Sequence, residues 1–177
     1  MTNKYSYGEW TIRNATTDDI AAIIDIWRQG LLEQGKVADE SQLRNEILEN
    51  DFQSQINSQT TDFKFWICLS RTNEIAGWQS ILPFQVSPNP VIKNSFGQSS
   101  TYIRPQFQGK GLGKLLLKHA LEYCKSNTNI KFVIGFVLDQ NKKSLKMCDE
   151  IGFQRMGVLP INDKGQFPHF NLLIYET

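Results

Sequence analysis

The chain lacks several features that define other classes of protein. It has only three cysteines, Cys68, Cys124 and Cys148, an odd number without metal-ligand spacing. This pattern predicts a reduced, cytoplasmic protein with no structural disulfide and no metal site. No apolar run approaches the ~20 residues that cross a bilayer, and the polar N-terminus does not resemble a signal peptide. These absences argue against a disulfide scaffold, a zinc domain and a membrane-spanning helix.

The chain also has little net charge, although its charges are unevenly distributed. The formal net charge is +1, which argues against a general nucleic-acid binder. Residues 104–155 contain 10 Lys/Arg and 4 Asp/Glu and carry +6, whereas the remainder carries −5. A positive field of this kind attracts phosphorylated ligands, but solvated lysines on two amphipathic helices would give the same count. The charge pattern leaves both interpretations open.

Length and apolar periodicity predict one α/β (α+β) domain covering residues 1–177. A chain of 177 residues with 40% hydrophobic content is large enough for one core, and it contains no repeats or linkers. Period-two and period-3.6 patterns predict the order β-α-α-β-β-β-α-β-α-β-β. The predicted strands cover about 10–14, 63–69, 75–84, a segment near 99, 131–138, 154–159 and 167–175. The predicted helices cover about 18–32, 40–50, 112–125 and a segment from 141, with a loop at 84–97.

The most informative segment is the run Gln-Gly-Lys-Gly-Leu-Gly at 108–113, between an extended segment and a helix. Glycines at such a turn let a ligand approach the backbone, and the first helical N–H groups lack intrahelical partners, so the turn is predicted to bind phosphate oxygens. A P-loop does not fit, because Gln108 replaces its first glycine and Leu115 replaces its Ser/Thr. The dinucleotide fingerprint does not fit either, because the third glycine comes one residue early.

Two motifs resemble the GNAT superfamily of N-acetyltransferases. Gln108, Gly111 and Gly113 match its acyl-CoA loop, Gln/Arg-x-x-Gly-x-Gly/Ala. Residues 141–153 are similar to its closing helix, whose pattern is Asn, two residues, Ser/Ala, a hydrophobic run and Gly-Phe. The likeness covers most of the chain. Further segments that resemble the family, or its narrower phosphinothricin-acetyltransferase-like branch, are 10–16, 74–78, 82–84, 102–105 and 165–171.

The resemblance implies both a fold and a cofactor. It implies a single GNAT-type domain with a central mixed, mostly antiparallel twisted sheet flanked by helices. It also implies that acetyl-CoA is the cofactor, that CoA is a product, that no metal is needed and that a homodimer can form. The implied cofactor-binding residues are Tyr102, Ile103, Gln108, Gly109, Lys110, Gly111, Leu112, Gly113, Lys114, Asn141 and Ser144.

Two catalytic positions depart from the family pattern. Where the narrower branch has Glu seven residues before Pro105, this chain has Gln98, whose amide cannot accept a proton. Cys148 stands where GNAT enzymes often place a Tyr, and the branch often a His. A thiol with a pKa of about 8.5 could protonate the leaving thiolate, although free cysteine is also a common buried apolar residue. Tyr102 shares the strand face of Gln98 by alternation and is the second catalytic candidate.

Two histidines carry weaker predictions. His119 lies beside an apolar helical stripe and is predicted to be a packing or surface residue. His169 lies in a tail that resembles the substrate-side segment of the narrower branch. Its ordinary pKa of about 6.5 suits proton transfer, so it is a lesser catalytic candidate.

Three functions remain open from the sequence. The first is an N-acetyltransferase that moves an acetyl group from acetyl-CoA to a small amine, an amino acid or an amino-acid-like compound, by direct attack in a ternary complex. The second is a catalytically degenerate CoA-binding module that acts as a sensor or scaffold, which Gln98 and Cys148 motivate. The third is a protein or peptide N-acetyltransferase.

Overall fold

The computed structural model describes residues 4–33, 45–84, 92, 95–159 and 169–177. Within these ranges eight strands form one mixed sheet in the order β1-β2-β3-β4-β5-β6-β8-β7. The strands are β1 (Lys4–Tyr7), β2 (Trp10–Asn14), β3 (Lys64–Leu69), β4 (Ile75–Pro83), β5 (Phe96–Ile103), β6 (Phe132–Leu138), β7 (Gln154–Leu159) and β8 (Phe170–Glu176). The helices are α1 (Ile20–Glu33), α2 (Asn45–Asn57), α3 (Leu112–Asn127) and α4 (Lys142–Ile151). Only β5 and β6 pair in parallel, so the predicted fold class is confirmed.

The structure corrects several predicted boundaries. It adds strand β1, whose four residues, Lys-Tyr-Ser-Tyr, are too short a segment to predict a strand from alternation alone. Helix α2 continues to Asn57 instead of ending at residue 50, because Phe52 and Ile56 pack into the core; residues 40–44 lie outside the described residues. Strand β5 begins at Phe96, so the loop predicted for residues 84–97 ends before residue 96. The last strand begins at Phe170, and residues 167–168 of its predicted span are not described.

The sheet separates two hydrophobic clusters. On one face, α1 and α2 pack on residues such as Phe65, Ile67 and Trp78, whose indole Nε1 donates to the Ile23 carbonyl at 3.0 Å. On the other face, α3 and α4 pack on residues such as Ile81 and Val133. None of the helices in the described part of the chain is long and apolar enough to span a bilayer.

Local sequence signals explain where the helices flanking the site begin and end. Thr16 and Asp19 form a capping box at the one-turn 3-10 helix that leads into α1. Asn141 caps α4 by accepting a hydrogen bond from the Ser144 N–H at 3.1 Å. Gly152 ends α4 with φ +108°, a left-handed conformation that favours glycine.

Strands β5 and β6 pair over only a short distance. Their register joins Phe96, Gly97 and Gln98 to residues 132–134, although β5 continues to Ile103 and β6 to Leu138. Beyond Gln98 the two strands therefore diverge. The gap that opens between β5 and β6 lies near the N-terminal end of α3 and the helix α4. The candidate site forms around this gap.

Candidate functional site

A cavity of about 720 Å³ lies where β5, α3 and α4 meet. Ten of the eleven residues predicted to bind the cofactor line it, and Lys110 does not. The ten are Tyr102, Ile103, Gln108, Gly109, Gly111, Leu112, Gly113, Lys114, Asn141 and Ser144. The ammonium group of Lys110 instead lies 5.2 Å from the centroid of the Phe107 ring.

The glycine turn has the backbone geometry that a phosphate site requires. Gly109 and Gly111 have φ values of +76° and +77°, and no heavy atom lies within 4 Å of a Cβ built on either. Gly111 is the N-cap of α3. The Leu115 N–H is the first to donate within α3, to the Gly111 carbonyl at 3.0 Å, so the N–H groups of Leu112, Gly113 and Lys114 before it are available to an anion in the cavity.

Lysines of α3 and α4 surround the cavity together with one carboxylate that the sequence did not single out. Lys114, Lys143 and Lys146 line the cavity, as does Glu150. Glu150 Oε2 lies 2.7 Å from Lys114 Nζ, and its Oε1 lies 4.0 Å from Lys146 Nζ. The hydrogen bond from Lys114 holds the pKa of Glu150 below its ordinary value. Glu150 thus offsets part of the positive charge that Lys114 and Lys146 bring to the cavity.

A second carboxylate borders the cavity at the end of α1. Gln108 Nε2 donates to Glu33 Oε2 at 2.8 Å and to the Ile103 carbonyl at 3.3 Å. The side chain of the loop glutamine therefore joins α1 to β5. Sequence spacing gave no signal for Glu33, because 75 residues separate it from Gln108.

A smaller cavity of about 110 Å³ continues from the large one into the gap between β5 and β6. The two cavities share the lining residues Thr101, Tyr102, Asn141, Ser144 and Met147. Residues that face α3 and residues that face α1 both line it, because successive side chains of β5 and β6 point to opposite faces. The small cavity is therefore bordered by residues from both faces of the sheet.

Tyr102 is held tightly beneath α1. Its ring stacks on Trp78 with a centroid distance of 4.8 Å and an interplanar angle of 25°. Burial raises the pKa of the Tyr102 phenol, while a hydrogen bond with the Trp27 side chain partly opposes this shift. The phenol therefore remains protonated near neutral pH. Gly30 of α1 leaves room for the ring, because a Cβ there would lie 2.6 Å from Tyr102 Cδ1.

Replacing Gly30 by Ala is expected to lower the free energy of unfolding by roughly 1–3 kcal/mol, because the added methyl group overpacks the Tyr102 ring. Denaturant unfolding of the variant measures this cost. The same substitution in a Tyr102→Ala background is the control, since alanine lacks the ring atoms that a Cβ at residue 30 would meet. An equal cost in both backgrounds would show that Tyr102 is not what Gly30 accommodates.

Cys148 lies on the buried face of α4 and lines the small cavity. It is 5% exposed, and burial raises the pKa of its thiol to about 11. The thiol therefore carries its proton at neutral pH. Gln98, the other divergent position, lies on β5 where the pairing with β6 ends, opposite Ile134.

The two histidines lie apart from the cavities. His119 is buried beside Tyr5 and Trp66, and its Nδ1 lies 2.9 Å from the Tyr7 hydroxyl oxygen, so the predicted packing role fits. His169 is exposed, and its backbone carbonyl accepts from the Asp139 N–H at 2.8 Å. Neither residue lines either cavity. Among the residues the structure describes, no cluster of three or more His, Cys, Asp or Glu could hold a metal ion.

Comparison with known proteins agrees with this geometry. The chain matches the model of the Acetyltransferase (GNAT) family over residues 22–153. It is 27% identical over 150 residues to YwnH of Bacillus subtilis, provisionally named a phosphinothricin acetyltransferase, covering 85% of this chain and 87% of that one. It is 21% identical over 168 residues to the peptidyl-lysine N-acetyltransferase YjaB of Salmonella typhimurium, covering 92% and 96%. A phosphinothricin acetyltransferase from Sinorhizobium meliloti, solved with acetyl-CoA, shares the fold with a TM-score of 0.77, 18% identity and coverage of 95% and 88%.

Proposed function

Because the chain belongs to the GNAT family of acetyl-CoA-dependent acetyltransferases, we propose that it acetylates the amine of a small molecule, an amino acid or amino-acid-like compound. The amine attacks directly in a ternary complex with acetyl-CoA. The observation that carries this proposal is the continuity of the two cavities. The large one begins at the glycine turn, and the small one, in the gap between β5 and β6, is bordered by residues from both faces of the sheet.

The residues present fit the cofactor. The open left-handed turn at Gly109 and Gly111 and the first N–H groups of α3 suit its pyrophosphate. Lys114 and the other cavity lysines supply positive charge for the phosphates. Bound acetyl-CoA supplies the acetyl group as an activated thioester. Tyr102 and Ile103 line the cavity along β5 and hold the part of the cofactor that approaches the gap.

Tyr102 and Cys148 are the proposed catalytic residues. Both line the small cavity, and both hold a proton at neutral pH because burial raises the pKa of each. A protonated group near the sulfur can stabilise the charge that develops as the thiolate leaves. Gln98 cannot accept a proton from the amine, so the proton that the nitrogen loses as the amide forms passes to water.

The Cys148→Ala variant is expected to turn over about tenfold more slowly with the dissociation constant for CoA unchanged, because only the proton donor is removed. Steady-state thiol release and calorimetric titration measure the two quantities. Cys148→Ser, which keeps a proton donor, is the matched variant and should recover part of the rate. A wild-type rate in the alanine variant would assign Cys148 to packing alone.

Titration of the protein with acetyl-CoA, followed by thiol release over a panel of amines, tests the proposed function. Micromolar binding with turnover on a small amine supports it. Binding without turnover would favour the sensor or scaffold, which Gln98 at the position of the expected base motivates. Turnover only on peptides would favour a protein acetyltransferase, as the printed name of YjaB suggests for that relative.

Two further parts of the proposal concern the cellular location and the oligomeric state of the protein. We take residues 1–177 as one domain. A cytoplasmic location is supported by the three cysteines, which are all buried and unpaired. A homodimer is supported by the edge strand β7, all six residues of which are exposed. Met156 and Val158 are 61% and 43% exposed there, and a second copy of the strand would cover them.

A further inference from the structure

On the α1-facing side of the gap, the described side chains that β5 and β6 contribute are all uncharged. Three polar residues of β5 and three apolar residues of β6 flank it on this face. They are Gln98, Ser100, Tyr102, Ile134, Phe136 and Leu138. Their common orientation follows from the register, which pairs Gln98 with Ile134, and from the alternation of side chains along each strand.

None of the polar residues on this face can deprotonate an amine. The Gln98 amide has no basic atom, and the Ser100 hydroxyl and the buried Tyr102 phenol keep their protons at neutral pH. The nearby carboxylates are otherwise engaged. Asp25 accepts from Arg104 Nη1 at 2.7 Å and from Gln29, and Glu33 accepts from Gln108. No described side chain of β5 or β6 on this face therefore offers a base to an amine that enters the gap.

The β6 side of the gap is apolar and partly aromatic. Phe136 packs against Phe84 with ring centroids 5.8 Å apart, and Phe132 stacks on Phe96 at 5.1 Å. Ile134 is 5% exposed and Leu138 is 1% exposed. These side chains contain no cation to pair with a substrate carboxylate and no anion to pair with a second ammonium group. A charged substrate body would be desolvated here without compensation.

We infer that the acceptor is a weakly basic amine on an uncharged, apolar or aromatic body, such as an α-amino amide, rather than a free amino acid, a polyamine or a simple alkylamine. This inference rests on the proposed function and narrows its substrate class. The amine nitrogen forms the bond to the acetyl carbon, and the carbon–sulfur bond of the thioester breaks. The proton lost by nitrogen is balanced by the proton gained by the departing CoA sulfur.

Acid–base equilibrium alone gives the size of the expected preference. A peptide-like α-amino group has a pKa of about 7.7–8.0 and an alkylamine one of about 10.4. At pH 7.5 about a third of the first, but only about one part in 800 of the second, is neutral. Without a base in the enzyme, kcat/KM for the weakly basic amine should exceed that of the alkylamine by on the order of 100-fold.

The experiment compares three probes with acetyl-CoA and the full chain: L-phenylalaninamide, L-phenylalanine and phenethylamine. We expect kcat/KM at pH 7.5 to be highest for the amide, by on the order of 100-fold over phenethylamine. The amide should also exceed the free amino acid, because only the latter brings a carboxylate. Raising the pH to 9.5 should reduce the advantage over phenethylamine, since the fraction of neutral alkylamine then increases.

The Gln98→Glu variant tests the role of the missing base. A carboxylate at this position can remove the proton of a strongly basic amine, so the ratio of kcat/KM for phenethylamine over the amide should rise about tenfold. Gln98→Asn, which shortens the side chain without adding a base, is the matched control and should not raise this ratio. An unchanged ratio in Gln98→Glu would overturn the inference that the missing base at position 98 limits which amines react.

The outcomes separate this inference from the function on which it rests. A preference for free phenylalanine or for phenethylamine at pH 7.5 would overturn the inference while confirming a small-molecule acetyltransferase. Binding of acetyl-CoA without turnover of any of the three probes or of a wider amine panel would overturn both. A higher kcat/KM for L-phenylalaninamide than for the other two probes supports both the inference and the proposed function.

Discussion

Gly111→Asp is expected to weaken CoA binding by at least about 100-fold, which corresponds to about 2.7 kcal/mol. Gly111 has φ +77°, a conformation that costs a residue with a Cβ roughly 1–2 kcal/mol. The new carboxylate would also stand at the N-terminus of α3, where we propose that the cofactor phosphates bind. Strain and like charge therefore act together, and calorimetric titration with CoA measures their sum.

Two variants separate the charge from the strain. Gly111→Ala introduces the strain without the charge and should weaken CoA binding much less, because no heavy atom lies within 4 Å of a Cβ there. Gly8→Asp is a matched control, because Gly8 also has positive φ, +61°, and open surroundings, but lies outside both cavities. It should leave CoA affinity unchanged. Wild-type affinity in Gly111→Asp would remove the glycine turn from the cofactor site.

Acidification from about pH 6.5 to pH 4 is expected to remove on the order of 3 kcal/mol of stability through His119 alone. Burial lowers the pKa of this imidazole to about 4 in the folded protein. The unfolded chain takes up the proton near its ordinary pKa of about 6.5. Between these values the unfolded state binds more protons, so the free energy of unfolding falls as the pH falls.

The surroundings of His119 explain the shift. The ring lies in an aromatic cluster with Tyr5, Tyr7 and Trp66, with centroids 4.7, 5.9 and 5.6 Å away. Its Nε2 is buried and has no hydrogen-bond partner. An added proton would therefore place a charge in apolar surroundings with no acceptor to offset the lost hydration.

Denaturant unfolding at several pH values tests this prediction by comparing wild type with His119→Gln. The variant cannot ionise, so its stability should fall less between pH 6.5 and pH 4, and the difference isolates His119 from the titrating carboxylates. His169→Gln, at the exposed histidine, is the control and should keep the wild-type pH dependence. Equal slopes in wild type and His119→Gln would contradict the proposed cause.

Local patterns predicted much of the fold and named most of the residues of one motif-lined cavity. The glycine spacing at 108–113 identified the turn, and ten of eleven residues named from the motifs line one cavity. Asn141 caps the N-terminal end of α4 and Gly152 ends it, and both lie in the motif at 141–153, because capping depends on neighbours a few residues away. Strand β1 was missed because its four residues give too short a pattern, and its pairing with β2 is visible only in the folded chain.

What the sequence by itself determined is the set of features encoded by short-range spacing: the glycine turn, the helix caps, the family motifs and the glutamine at position 98. Only the tertiary structure decided which distant groups meet. It brought Glu33 to Gln108 and Glu150 to Lys114, buried Cys148 and His119, and opened the gap between β5 and β6. The reason is physical. Burial, ion pairing and the pKa of a side chain depend on neighbours that folding brings together from far apart in the chain.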